Sequence, residues 1–277
     1  MILISFLKKL RRLVRIALYI IRRKRPWTRG YFEYKWFKIK DAIKNPNLTS
    51  LFVNSDPLPK GYGVGLDERI VEYPWVLSRL PSGNLLLDAG SALNFETILK
   101  HPALTAKQIT IVNIAKETNN FSNLGVQYVI ADICALPFGD ESFDIITCIS
   151  TLEHIGMDNS IYSNKKGEST GDYVTAITEL KRVLKPNGLL LVSVPFGKYE
   201  NHGFFQQFNS EMIERIKEAF SGQKSEIDFY RYSIDGWQIS NQIECENMSY
   251  FNIRKSKLIP VDKAAAARSV ACLKLVK

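Results

Sequence analysis

Residues 84–94, NLLLDAGSALN, constrain the fold of this chain more than any other segment. Three leucines lead into Asp88, and Gly90 and other small residues follow before an amphipathic segment begins. This order is typical of a buried strand, a tight turn and the start of a helix. In an open α/β sheet such a junction binds nucleotide-like ligands, because the turn lets the backbone approach and the N–H groups at the start of the helix attract anions.

Strand and helix patterns alternate from this segment to the end of the chain, which is the order expected for a parallel sheet. Strand character occurs in seven ranges: 85–89, 109–114, 126–131, 143–150, 189–195, 225–233 and 267–276. Helical periodicity occurs at 66–80, 95–101, 173–184 and 210–220. We therefore predict an α/β fold with a doubly wound, mostly parallel, seven-stranded Rossmann-like sheet and an N-terminal amphipathic helical extension.

The net charge of +9 is concentrated at the start of the chain. Residues 1–44 contain 14 Lys and Arg residues and two acidic residues, whereas the rest of the chain has 23 basic and 26 acidic residues. A nucleic-acid-binding protein is expected to carry its basic groove within the folded domain. We therefore expect no nucleic-acid partner.

The four cysteines are far apart and include no CxxC pair; they are Cys134, Cys148, Cys245 and Cys272. Cys148 lies within an apolar run, as is common for a buried free thiol. Widely spaced free thiols are typical of a reducing compartment. The cysteines thus predict neither a disulfide framework nor a metal site, and they favour a cytoplasmic location.

Residues 1–25 contain no acidic residue and have the pattern of an amphipathic helix. At about 100° per residue, the apolar side chains fall on one half of the helix and most basic ones on the other. The longest apolar run, residues 16–21, is far shorter than the ~20 residues that span a bilayer. We interpret the segment as a helix on an anionic membrane surface. The alternative is a helix packed against the body of the protein or a partner.

Residues 26–64 are rich in aromatic residues and turn formers, which predicts irregular structure. Trp and Tyr suit a water–lipid boundary, so this segment either extends the membrane contact or covers the flank of the core. The domain prediction has three parts: a membrane-surface helix at 1–30, an aromatic-rich linker or flank at 31–65, and a catalytic domain at 66–277. The predicted location is the cytoplasm, peripherally on the inner face of a membrane if the helix binds lipid.

Polar residues stand at the ends of four predicted strands. Asp88 and Asn113 end the first and second strands, while Asp132 and Ser150 follow the third and fourth. Because the carboxyl ends of parallel strands meet at one edge, these side chains are expected to surround one ligand. The residue at the end of the second strand is placed to bind a ribose, and Asp132 is placed to accept a hydrogen bond from an adenine amino group.

Four blocks between residues 83 and 196 resemble the class I S-adenosylmethionine-dependent methyltransferases in order and spacing. They are LLLDAGSALN, IVNI, IADICALPFGDESFDIITCISTLEHI and ELKRVLKPNGLLLVSVP. The resemblance is closest to the branch that includes ubiquinone-type and small-molecule methyltransferases, and its most specific block is residues 131–154. It implies S-adenosylmethionine as the cofactor and methyl transfer to a small molecule or to a glycan or lipid-linked acceptor.

The resemblance also implies roles for individual residues. The first turn would hold the methionine part of the cofactor, Asn113 would replace the usual acid at the ribose, and the segment after the third strand would contact adenine. The implied cofactor-binding residues are Asp88, Ala89, Gly90, Ser91, Asn113, Asp132, Ile133 and Ser150. Ala92 and Asn94 stand where glycine is common; Asn tolerates a left-handed backbone, so the turn is expected to persist.

Two histidines are candidates for removing a proton from the acceptor, because imidazole titrates near neutral pH. His154 follows the fourth strand, where packing near the cofactor is the alternative role, and His202 lies after the fifth strand. The acceptor pocket is expected between two loops, residues 156–172 and 197–209. The second loop carries aromatic and amide side chains that could stack on a ring or hydrogen-bond a sugar.

Two other functions compete with this hypothesis. A non-catalytic methyltransferase-like scaffold at the membrane surface is favoured by the altered residues Ala92, Asn94 and Asn113. A nicotinamide-dependent dehydrogenase is disfavoured, because no GxGxxG motif follows the first strand.

Overall fold

The computed structural model describes residues 2–158, 172–256 and 258–277. Its helices are α1 (Ile2–Ile21), α2 (Tyr31–Lys44), α3 (Pro46–Asn54), α4 (Arg69–Arg79), α5 (Glu96–Leu99), α6 (Pro102–Thr105), α7 (Tyr173–Val183), α8 (Ser210–Phe220) and α9 (Gln242–Cys245), with 3₁₀ turns at Ser122–Leu124 and Leu152–His154. Its strands are β1 (Leu85–Ala89), β2 (Gln108–Asn113), β3 (Gln127–Ile130), β4 (Phe143–Ile149), β5 (Leu184–Pro195), β6 (Glu200–Asn201), β7 (Gln206–Gln207), β8 (Lys224–Ser233), β9 (Gly236–Ser240) and β10 (Ser269–Val276).

The main sheet has the order β3-β2-β1-β4-β5-β10-β8-β9. Strands β1 to β5 run parallel, whereas β10 is antiparallel to both β5 and β8. The order reverses beside β1, so the carboxyl ends of β1 and β4 flank the position where ligands enter sheets of this kind. The predicted α/β fold with a mostly parallel Rossmann-like sheet is confirmed.

The sheet has eight strands where the sequence predicts seven. The additional strand, β9, forms a hairpin with β8 in which Ser233 pairs with Gly236. Asp235-Gly236 at this turn is a typical hairpin signal that the sequence prediction did not include. Gly236 has φ +95°, and a Cβ there would lie 2.2 Å from the carbonyl oxygen of Tyr62, so the turn requires glycine.

Both faces of the sheet are buried, as expected for parallel strands with helices on each side. Leu86 of β1 lies in a core cluster with residues of α4 such as Val76. Leu87, on the opposite face, lies in a second cluster with Ile177 of α7 and Ile213 of α8. The alternation of adjacent leucines between two cores fixes the register of β1 and thus the position of Asp88.

The irregular structure predicted for residues 26–64 is wrong, because α2 and α3 occupy much of this segment. The aromatic residues of α2 have a packing role: Tyr31 and Tyr34 are buried in the core. Asn45 caps α3 by accepting hydrogen bonds from the backbone N–H groups of Asn47 and Leu48, and Pro46 is the first residue of the helix. Asn-Pro is therefore a helix start here rather than a loop signal.

Helix α1 packs on the body through one face. Ile16 and Tyr19 are buried, and the Tyr19 hydroxyl donates a 2.8 Å hydrogen bond to the carbonyl oxygen of Gly65. The apolar stripe of α1 remains exposed; its exposed large members are Leu7, Leu10, Leu13, Val14, Ile20 and Ile21. Leu10 and Tyr19 are nine residues apart, about two and a half turns, so the stripe and the packed face lie on opposite sides of the helix.

None of the helices among the described residues has both the length and the apolar character needed to cross a membrane.

Candidate functional site

Asp88 is fully buried at the carboxyl end of β1. One carboxylate oxygen accepts a hydrogen bond from the backbone N–H of Leu93 at 2.8 Å, and the other accepts one from the Thr147 hydroxyl at 3.0 Å. Burial raises the pKa of Asp88 to about 7, although these two hydrogen bonds favour the charged form. Asp88 therefore ties the turn after β1 to β4 and titrates near neutral pH.

The turn after β1 contains two consecutive residues with a left-handed backbone, Gly90 (φ +102°) and Ser91 (φ +65°). The N–H of Gly90 donates to the carbonyl oxygen of Val112, which joins the turn to the end of β2. The Ser91 hydroxyl is buried and has no hydrogen-bond partner among the described residues. The turn persists as expected, and its left-handed positions are Gly90 and Ser91, whereas Asn94 has no positive φ.

Replacing Gly90 with alanine is expected to destabilise the fold by at least about 2 kcal/mol, because a left-handed alanine is strained and a clash is added. A Cβ at this position would lie 2.1 Å from the Thr151 hydroxyl oxygen. The matched control is Gly125→Ala, since Gly125 has φ +82° but no atom within 4 Å of the place where the alanine methyl group would lie. Urea unfolding measures both; equal losses of stability would show that the Thr151 contact has no effect.

Asn113, at the end of β2, takes part in a network with the turn after β1. Its amide nitrogen donates to one carboxylate oxygen of Glu117 at 2.6 Å. The amide nitrogen of Asn94 donates to the other Glu117 oxygen at 3.0 Å. The Tyr128 hydroxyl in turn donates to the Asn94 amide oxygen at 2.9 Å. The sequence prediction missed Glu117, although an acidic residue four positions after a strand end was a visible signal.

Asp132 and Ile133 follow β3 at the same edge. A carboxylate oxygen of Asp132 accepts a hydrogen bond from the backbone N–H of Cys134 at 2.9 Å, which shapes the turn. Ile133 is 3% exposed and packs in the core cluster that includes Ala89 and Val112. The backbone of this segment is fixed to β2, because the N–H of Ala131 donates to the carbonyl oxygen of Asn113.

Ser150, after β4, faces a buried glutamate. Its hydroxyl donates to a carboxylate oxygen of Glu72 at 2.6 Å, and the Ser193 hydroxyl donates to the same oxygen at the same distance. The other Glu72 oxygen receives a 3.0 Å hydrogen bond from Arg69. Glu72 thus joins α4 to the ends of β4 and β5, and the sequence prediction missed it because a single glutamate in a helix carries no distinguishing signal.

Two further carboxyl groups lie near this junction. Glu153 is 4% exposed, and one of its oxygens has no hydrogen-bond partner among the described residues. Burial raises its pKa well above the usual range. Burial, followed by the charges of Asp67 and Glu72, raises the pKa of Glu68 to about 8. The region where β4 ends is therefore acidic and poorly hydrated.

His154 lies in the 3₁₀ turn after β4. Its Nδ1 is 2.8 Å from the carbonyl oxygen of Phe204, so Nδ1 carries the proton in that contact. Burial lowers the pKa of His154, which keeps the ring neutral at physiological pH. The contact joins the turn after β4 to the loop after β5.

His202 lies in the loop after β5 and is packed among aromatic residues. Its ring stacks on Phe205 with centroids 4.5 Å apart. Its Nε2 is 3.0 Å from a carboxylate oxygen of Glu200, and its Nδ1 is 3.2 Å from the side-chain nitrogen of Asn252. Burial lowers the pKa of His202, while Glu200 acts in the opposite direction. The ring is thus held in one orientation.

The structure brings the predicted residues Asp88, Gly90, Ser91 and Asn113 together at one edge, with Asp132 beside them. The loop at 197–209 contains the short β6–β7 pair and reaches the turn after β4 through Phe204. Most of the other predicted acceptor loop, residues 159–171, lies outside the described residues.

Residues 89–192, from the end of β1 into β5, match the family model described as a methyltransferase domain. The chain is 26% identical over 164 residues to a tRNA (carboxymethyluridine(34)-5-O)-methyltransferase of Arabidopsis thaliana, covering 54% of this chain and 34% of that protein. It is 35% identical over 66 residues to an uncharacterized protein of Methanocaldococcus jannaschii, covering 24% and 22%. The matches thus span about a third and a fifth of these relatives.

A structural comparison gives a TM-score of 0.44 with the 1,6-didemethyltoxoflavin-N1-methyltransferase of Burkholderia thailandensis, whose structure contains 1,6-didemethyltoxoflavin and S-adenosylhomocysteine. The two proteins are 16% identical, and the alignment covers 83% of this chain and 87% of that one. The strand order, the glycine turn after β1 and the match over residues 89–192 agree with the resemblance found in the sequence. Residues 89–192 are thus similar to a methyltransferase domain.

Proposed function

We propose that the chain is an S-adenosylmethionine-dependent methyltransferase. The observation that carries the proposal is the turn after β1, where Gly90 and Ser91 adopt left-handed backbones against β4. A methyl group at position 90 would fill the space beside Thr151, and the buried Ser91 hydroxyl has no described partner. A half-buried turn with an unsatisfied hydroxyl and a nearby carboxyl fits the ammonium and carboxylate of the methionine moiety.

In this mechanism the protein aligns the acceptor and excludes water. When bound, S-adenosylmethionine supplies a methyl group that its sulfonium activates. Asp88 fixes the turn by accepting hydrogen bonds from Leu93 and Thr147, and we propose that Asp132 would accept one from the adenine amino group. Burial keeps the carboxyl groups of Glu153 and Glu68 largely protonated in the ligand-free protein, and a nearby positive charge such as a sulfonium would favour their ionised forms. Alignment of acceptor and methyl group then supplies the main rate enhancement.

The acceptor is proposed to be a small molecule or a glycan that binds between the turn after β4 and the loop at 197–209. Phe204 and Phe205 lie 4.8 Å apart in this loop, and Tyr250 packs beside Phe205 at 4.7 Å. Such rings stack on a flat acceptor or on the apolar face of a sugar. His154 and His202 are proposed to receive the acceptor proton, since burial lowers the pKa of both; His202 would have to release its contact with Asn252 to do so. Membership in the ubiquinone-type branch stays a prediction.

Calorimetric titration with S-adenosylhomocysteine tests the cofactor assignment. The full-length chain is expected to bind it with a dissociation constant in the micromolar range, and transfer of a labelled methyl group to a component of a cell extract would then identify the acceptor. Absence of binding in a folded sample, judged by cooperative thermal unfolding, would refute the enzyme assignment. The expectation of no nucleic-acid partner is tested in the same assay by adding total RNA as an acceptor.

We also propose that α1 places the protein on an anionic membrane surface. The support is its orientation, because the apolar stripe faces away from the body while Arg15 pairs with Glu33 of α2. Arg11 and Arg12 are exposed on the same helix. An exposed apolar stripe on a helix with basic residues suits the boundary between acyl chains and acidic head groups. The acceptor is then expected to be lipid-linked or to lie near the membrane.

A further inference from the structure

The carboxylate of Glu117 is held in place by two amide side chains. Asn113 donates to one oxygen at 2.6 Å, and Asn94 donates to the other at 3.0 Å. Asn94 is 2% exposed and is itself fixed by the Tyr128 hydroxyl and by a 3.2 Å hydrogen bond to the carbonyl oxygen of Asn119. Glu117 belongs to the loop that follows β2. These hydrogen bonds nevertheless hold its carboxylate in one position, between the turn after β1 and the end of β2.

The side chain of Asn113 is already engaged in this arrangement. Its amide nitrogen donates to Glu117, and its amide oxygen accepts a 2.8 Å hydrogen bond from the backbone N–H of Ile114. Binding two adjacent hydroxyls with Asn113 would require this amide to release those contacts. Asn113, at the end of β2, thus orients the side chain of Glu117 and acts as a positioning residue.

Glu117 keeps the capacity to accept further hydrogen bonds. A carboxylate has about four acceptor sites, and the described contacts occupy one on each oxygen. No Lys, Arg or His forms an ion pair with Glu117 within the described part of the chain. Its charge lies near the site, since Glu117 is one of the groups that raise the pKa of Asp88. The carboxylate is partly exposed, so a ligand can reach it.

We propose that Glu117, and not Asn113, binds the ribose 2′- and 3′-hydroxyls of the cofactor; this inference rests on the proposed function. In nucleotide-binding α/β sheets an acidic residue at the end of the second strand accepts hydrogen bonds from ribose hydroxyls. This chain has an amide at that position and brings in a carboxylate from four residues further along. The side-chain amides of Asn94 and Asn113 each donate to one carboxylate oxygen of Glu117. The two oxygens are thereby held so that each can accept a hydrogen bond from one of the two adjacent ribose hydroxyls.

The proposal accounts for two unusual residues together. Asn94 stands where glycine is common in the resembling family, and Asn113 stands where an acid is common. Each is explained by the same contact, because both amides donate to Glu117. The two differences from the family pattern are therefore parts of one arrangement that retains a negative charge at the ribose position.

The test compares S-adenosylhomocysteine with analogues that lack the 2′- or the 3′-hydroxyl, using calorimetric titration of the full-length chain. The wild-type protein is expected to bind the parent compound at least ~10-fold more tightly than either analogue. Glu117→Gln is expected to weaken binding of the parent compound by about 10- to 100-fold, as expected for loss of charged hydrogen bonds. The same variant should bind the analogues nearly as well as the parent, so that the discrimination is lost.

Two variants separate ribose binding from a structural effect. Glu218→Gln removes an exposed carboxylate of α8 and should leave both affinity and discrimination unchanged. The double variant Asn113→Asp with Glu117→Gln returns an acid to the strand end and should recover much of the discrimination. Discrimination that persists in Glu117→Gln would refute the inference while leaving the cofactor assignment intact. If the wild-type chain does not bind S-adenosylhomocysteine at all, the proposed function itself fails.

Discussion

Replacing Leu10 and Leu13 of α1 with glutamate is expected to lower binding to anionic vesicles by at least ~100-fold. These leucines are 47% and 53% exposed in the middle of the apolar stripe. Burying one leucine contributes about 1.5–3 kcal/mol, so loss of two removes most of the apolar contribution. The basic residues add about 1 kcal/mol each near an anionic surface, which predicts weaker binding at high salt. Flotation of full-length protein with phosphatidylserine-containing vesicles measures the effect.

The control must carry the same change in charge and hydrophobicity elsewhere. Ile234→Glu with Ile243→Glu provides it, because these residues are 56% and 78% exposed and belong to the β8–β9 turn and to α9 rather than to α1. This double variant should float like the wild-type protein. The membrane proposal would be refuted if the two double variants floated equally well, or if the wild-type protein did not float. The apolar stripe of α1 would then be expected to bind a partner protein.

Lowering the pH from 8 to 5 is expected to add a stabilising contribution from Asp88 in the ligand-free protein, whereas the three histidines, whose pKa values are lowered by burial, contribute in the opposite direction. Burial raises the pKa of Asp88 from 3.8 to about 7, so the folded state binds a proton that the unfolded state has released over that interval. The stabilisation from protonated Asp88 is complete below about pH 4 and is lost as the pH rises through about 7. The shift corresponds to about 4 kcal/mol. Glu68, whose pKa is raised to about 8, changes stability in the same direction.

The variant Asp88→Asn isolates the contribution of Asp88. An asparagine oxygen can accept from the backbone N–H of Leu93, and its nitrogen can donate to the Thr147 hydroxyl, so both contacts can persist. Guanidinium unfolding at about pH 5.5 and about pH 8 should show that the free energy of unfolding at the lower pH, relative to that at the higher pH, is smaller in this variant than in the wild type, because the Asp88 contribution is lost. Asp235→Asn, at the exposed β8–β9 turn, should retain the wild-type dependence. An unchanged slope in Asp88→Asn would contradict the assignment of this titration to Asp88.

The sheet and the turn after β1 could be predicted because their signals are local. Three leucines before Asp88 and a glycine after it determine a strand and a turn through neighbouring residues alone. The order of successive motifs then gives the topology, since parallel strands with helical connections allow few arrangements.

The parts that were not predicted depend on contacts between distant segments. Glu72 meets Ser150 and Ser193, which are 78 and 121 residues away. Glu117 acquires its position only when the turn after β1 and the end of β2 come together. Helix α2 was missed for a different reason, because its aromatic residues are divided between the core, as Tyr31 and Tyr34 are, and the surface, as Phe32 is, instead of forming a simple apolar stripe. Pairing over such separations cannot be deduced from residue spacing.

The anchoring of Tyr19 has a geometric consequence for the whole molecule. Its hydroxyl holds α1 to Gly65, and the chain continues from there into α4, which contacts the ends of β4 and β5 through Glu72. A bilayer that covers the outer stripe would therefore fix the height and tilt of the methyl-transfer site above the lipid plane. Acceptors would then be selected by how far their reactive atom stands above the head groups, as well as by their chemical structure.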